Sequence, residues 1–153
     1  MRNEFIFEIL DSRLNVLIEL FEQCPEDRRR VIPQGFNNHI HWHVGHVLTV
    51  TEFHVFDLSG QPKVLPESYQ ALFAYGTKPA DWLEEPPAWE FLIEQLKEQR
   101  YLIRESLQDK LDQPVKPNFL KAETIGELIV STVLHIMNHA GVVSAILKAL
   151  KAA

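Results

Sequence analysis

The chain has 153 residues, 46% of them hydrophobic, a formal net charge of −6 and a single cysteine. Its length and apolar content fit one domain over 1–153 with a sizeable core. The negative charge argues against nucleic acid as a partner, and the lone cysteine excludes an internal disulfide or a Cys-rich zinc site. No apolar run is read as spanning a bilayer, and Glu4 and Glu8 break up what would be the apolar middle of a signal peptide, so a cytoplasmic protein with no membrane partner is expected.

The first predicted helix runs from about Asn3 to Cys24, because Ile6, Leu10, Leu14, Leu17 and Phe21 recur at spacings of three and four. Pro25 stops it, and Cys24 reads as a small buried hydrophobe. Arg28, Arg29 and Arg30 form the one basic run, and the Pro- and Gly-containing stretch after them reads as a solvated connection. A second helix is expected to run to about Leu58, with Asn37 or Asn38 as its N-cap and Ser59-Gly60 closing it. Between Gly60 and Pro87 prolines alternate with Tyr69, Phe73, Tyr75 and Trp82. This stretch predicts a long crossover that packs onto the fold, with a short helix between Pro66 and Tyr75.

The third main helix is predicted from about Ala88 to Gln108, with Trp89, Leu92, Ile93, Leu96, Ile103 and Leu107 as its apolar stripe. Thr124-Ile125-Gly126-Glu127 is a capping box that opens the last helix, which continues to about Leu150. Its stripe is Leu128, Thr132, His135, His139, Val142 and Ile146. No strand is expected. Four long helices predict an all-α four-helix bundle, and a 60–87 connection long enough to cross its length predicts the order up-down-down-up.

The histidines carry the chemistry. His135 and His139, four residues apart on one helical face, replace apolar residues on the stripe that faces the interior, where unpartnered imidazoles cost several kcal/mol. A divalent ion would satisfy both, with a third imidazole arriving from another helix and one coordination position left open. The other reading is a pair of core histidines hydrogen-bonded to neighbouring helices.

On the second helix His39, His43 and His46 share a narrow arc, and His41 points the other way. His46 falls near mid-bundle, His39 and His43 nearer the wet end, and His54 too far along the axis to share its ion. Gly45 implies close packing, and Glu52 is expected in solvent. Thr49 and Asn138 can line a pocket by helical spacing, Trp42 reads as a core or groove-lining aromatic, and no residue stands out as a general base. Glu-x-x-His pairs and a His followed four residues later by Glu are both absent, which leaves an all-imidazole site suited to Zn²⁺ or Ni²⁺.

A Trp-x-x-x-His segment (Trp42 to His46) combined with His-x-x-x-His-Ala-Gly (His135 to Gly141) resembles the DinB/YfiT-like superfamily of small bacterial proteins, named for a DNA-damage-inducible member. The resemblance implies that His46, His135 and His139 are the metal ligands of an up-down-down-up bundle. It also implies an activity among those of the superfamily, which include transferases joining a low-molecular-weight thiol such as bacillithiol to an electrophile, and dimers as a frequent state. Asn138 and Ala140 stand where a common form of the motif has histidine and arginine, which bears on substrate binding rather than on the metal. Two functions are therefore expected as alternatives. One is a metal-dependent thiol S-transferase or hydrolase acting on a small-molecule electrophile, with a bound thiol or water as nucleophile. The other is a non-catalytic bundle that metal stabilises.

Overall fold

The computed structural model describes residues 1–152, and among them every regular element is helical. α1 (Asn3–Glu22) buries Ile6, Phe7, Leu10, Leu14, Leu17, Ile18 and Phe21, the stripe its three-and-four spacing dictates. Pro25 follows directly, and Cys24 is buried behind it. α2 (Ile40–Glu52) passes without a break into a five-residue π-helical turn, Phe53–Asp57. α3 (Ser68–Phe73) is the short helix of the crossover, and Gly76 just beyond it has φ +85°. α4 is Trp89–Leu107 and α5 is Ile125–Ala152.

α1 packs on α5, α5 on α2, α2 on α4 and α4 on α1, closing a ring of four long helices. Side-chain contacts give their directions. Arg104 reaches Glu4 at 2.9 Å and Lys97 reaches Glu22 at 3.0 Å, so α4 runs against α1. His43 meets His139 while His54 meets His135, so α5 runs against α2. His41 hydrogen-bonds to Pro87 O and Gln99 to Leu48 O, so α2 and α4 advance together. By length and composition α5 could cross a membrane, contrary to the expectation that no run is long and apolar enough. Its packing on α1 and α2, with Leu128, Ile129, Val143 and Ile146 fully buried, is that of a core helix.

Several local expectations are corrected. The N-cap of α2 is His39, not an asparagine, and its Nδ1 accepts from the backbone N–H of Trp42 at 3.0 Å. An unprotonated ring nitrogen does there what a side-chain oxygen usually does. His39 and His43 are buried instead of wet: the crossover brings Trp82 onto His39 at 5.3 Å between ring centroids, while Trp42 and His139 pack on His43 at 5.0 and 5.1 Å. Glu52 is buried too, its carboxylate accepting from the backbone N–H groups of Val64 and Leu65, both at 2.9 Å. The helical wheel placed Glu52 off the histidine face correctly but could not show that the crossover comes back to that side.

Arg29 and Arg30 are more than a solvated run. Arg29 lies over Trp89 and pairs with Glu90, fastening the connection to the head of α4, while Arg30 lies near Trp82 and pairs with Glu85, fastening it to the crossover. At the head of α5 the Thr124 hydroxyl accepts from Glu127 N at 3.3 Å, as a capping box requires. The Glu127 carboxylate reaches one residue further back than expected and accepts from Glu123 N at 2.6 Å.

Candidate metal centre

Gly45 explains how α2 brings His46 into position. A side chain there would overlap the ring of Phe73, which is fully buried against α2. The missing Cβ lets α3 come close enough for the Phe73 carbonyl to accept from His46 Nδ1 at 2.7 Å. With Nδ1 protonated, Nε2 of this neutral ring holds a free lone pair. Trp42 stacks on the same imidazole at 4.3 Å and 15°, and its indole N–H donates to Thr77. The Trp-x-x-x-His spacing thus serves to hold the His46 ring flat against an anchored indole.

His135 and His139 sit one turn apart on α5 with ring centroids 4.4 Å from each other, and 5.2 and 4.6 Å from His46. One nitrogen from each of the three lies within 4.8 Å of the other two. His139 is held by His43, their Nδ1 atoms 3.0 Å apart, an orienting contact missed in the sequence reading although His43 shares the arc of His46. His54 lies outside the trio but against it, 5.7 Å from His135, carried there by the π-helical turn.

Electrostatics favour neutral rings throughout. Burial pushes His135 and His139 down to about 3, reinforced by the neighbouring imidazoles, and lowers His46, where the Phe73 carbonyl pulls the other way. His43 is pushed to about 3 and His54 to about 4 by the same burial and crowding. Neutral imidazole is the ligating form, and no acid has to be displaced at neutral pH.

The donor set fits a borderline divalent cation: three neutral nitrogens and no carboxylate, which favours Zn²⁺ or Ni²⁺ over Mg²⁺ or Ca²⁺. His135 Nδ1, buried with no hydrogen-bond partner, is a second mark of fit, since the protein alone leaves this imidazole short of the partners that buried polar groups demand.

Two cavities meet at the cluster, sharing His46, His135 and Tyr75. One, of about 440 Å³, is walled by Phe53, His54 and Phe119 with Thr49 and Val50. The other, of about 680 Å³, is bounded by Asn37, Asn38, Thr77, Lys78, Asn138 and His139. Thr49 and Asn138 therefore both line pockets, one on each side. Phe119 comes from the irregular 108–124 connection, and no sequence signal marked it.

A helical bundle with three convergent imidazoles beside adjoining cavities is a site that could hold a metal ion. The sequence pattern of the DinB superfamily matches residues 9–143, and the chain belongs to that superfamily. No curated protein matches it in sequence.

Proposed function

We propose that this protein is a metal-dependent enzyme that joins a low-molecular-weight thiol, or water, to a small electrophile. The observation that carries the reading is that the three-imidazole cluster borders two cavities leading to exposed residues, Tyr75 and Lys78 among them. An ion that only staples a fold is normally enclosed by four protein ligands, whereas three ligands beside a cavity leave room for a reactant.

His46, His135 and His139 would hold the ion, Zn²⁺ or Ni²⁺ by donor type. When bound, a divalent ion supplies Lewis acidity that makes a thiol or water acidic enough to act as a nucleophile near neutral pH. The protein's own part is positioning. The Phe73 carbonyl and the Trp42 ring fix the plane of His46, and His43 fixes that of His139. For His139 to ligate through Nε2, its Nδ1–H donates to His43, which accepts as a neutral ring. Asn37, Asn38, Asn138 and Lys78 offer polar contacts for a reactant beside the cluster. The cytoplasm, where small thiols stay reduced, is the compartment this chemistry calls for.

The test is turnover. Metal-loaded, untagged protein is given bacillithiol or another small thiol with a panel of alkyl and acyl electrophiles. Activity that vanishes in His139→Ala while helical content is kept supports the reading. The absence of turnover with every pair, together with a large stability loss on metal removal, would favour a structural ion instead.

A further inference from the structure

The two cavities beside the imidazole cluster differ in kind, although they share three of their lining residues. The larger has three asparagine amides, a threonine hydroxyl and the ammonium of Lys78. The smaller has no Asp, Glu, Lys or Arg in its lining. Its wall is a run of aromatic surface: Phe53 and Phe119 lie nearly parallel, 14° apart with centroids at 6.1 Å, and His54 tilts onto Phe119 at 5.6 Å.

This wall is built by two irregular features of the chain. The π-helical turn Phe53–Asp57 carries Phe53 and His54 to the cavity. The tip of the 108–124 connection is tied down by Asn118, whose side chain donates to Lys116 O at 2.8 Å and Ala122 O at 2.9 Å and accepts from Ala122 N at 3.2 Å. Lys121, with φ +58°, completes the turn. Phe119 is thus held over the cavity by an ordered loop while remaining 65% exposed, an arrangement that leaves an apolar ring at the surface with no core to join.

We infer that the smaller cavity is the subsite for an uncharged, apolar body of the substrate, of one or two rings, and that Phe119 is its specificity-determining residue. The inference deepens the proposed function and rests on it for the word substrate. In the metal-free protein a charged group entering this cavity would lose water and find no Asp, Glu, Lys or Arg as counter-charge, whereas an apolar ring would exchange water for aromatic contact. A dry apolar cavity of about 150 Å³ suffices for benzene, so 440 Å³ leaves room for a substituted or fused ring. Charged parts of a reactant are left to the opposite cavity, where Lys78 and the amides face them.

The probes are benzyl alcohol, which is neutral, and benzoate, which has the same ring with a carboxylate. Binding is followed by NMR on the full chain through the amide signals of Thr49, Val50 and Phe119, with metal content measured on the same samples. Saturable binding of benzyl alcohol to the metal-free protein is expected, about tenfold or more tighter than benzoate. Phe119→Ala, a change at an exposed loop position, should weaken it several-fold with helical circular dichroism unchanged, and Ser131→Phe, which fills the cavity from α5, should abolish it. Removing metal with a chelator should leave probe binding within about twofold, since the wall is made without the ion. Benzoate binding as tightly as the alcohol, no saturable shift, or an unaffected Phe119→Ala would overturn the subsite. A chain that holds the probe but never takes up metal would sink the proposed function while leaving the subsite standing, so the two failures are told apart.

Discussion

His43 and His139 meet Nδ1 to Nδ1 at 3.0 Å, so one ring donates and the other accepts, and their planes are fixed relative to each other across two helices. That contact makes His43 the outer partner of a proposed metal ligand. His43→Ala should weaken metal binding about 10- to 100-fold, as loss of such partners generally does, while the three ligands remain. Competition with a chromophoric chelator measures it. Unchanged affinity would mean that His139 is held by its own helix and needs no partner.

Gly45→Ala tests the closeness of α3 to α2. The new methyl overlaps the buried Phe73 ring, so α3 must shift, and the carbonyl that holds His46 Nδ1 shifts with it. A stability loss of about 1–3 kcal/mol is expected from the overpacking. Metal affinity should fall as well, although residue 45 touches no ligand. Pairing the change with Phe73→Leu should return part of the stability, as read from urea unfolding midpoints.

Acid should unfold the metal-free protein early. Burial holds His135 and His139 of the cluster down at about 3, and His39 at the head of α2 at about 4, far below an unfolded histidine's value. Between roughly pH 6.5 and those values the unfolded chain binds more protons than the native one, so stability rises with pH in that window. The contribution is fully present above about pH 7 and is lost as pH falls toward 4. Urea midpoints taken at pH 7.5, 6 and 5 should therefore decrease in that order, and a flat profile would refute the burial argument.

Glu52 fastens the crossover to α2 by accepting two backbone N–H groups. Glu52→Ala leaves both donors without that partner and should cost about 1–3 kcal/mol, whereas Glu52→Gln keeps an acceptor oxygen and should cost less. Amide hydrogen exchange at Val64 and Leu65 reports it directly: faster exchange in the alanine variant, with an intermediate rate in the glutamine variant.

Much of this was legible in the chain because periodicity is a local signal. The apolar stripes of α1 and α4 fall where their spacing puts them, the capping box opens α5, and the three ligand candidates converge as the helical wheel and the family resemblance implied. The misses concern what long connections bring back to the bundle. Neither the burial of His39 and Glu52 under the crossover nor the arrival of Phe119 from the 108–124 connection follows from helical spacing. His54 stays outside the group of three, as its two-turn distance from His46 implied, while its contact with His135 was not foreseen.

The central claim is that His46, His135 and His139 hold one divalent ion, and metal stoichiometry on untagged protein tests it most directly. Titration with Zn²⁺ or Ni²⁺ followed by elemental analysis should give close to one ion per chain, with His135→Ala retaining the helical fold and losing that ion. Less than about half an ion per chain in the wild type, or the same uptake in His135→Ala, would contradict it.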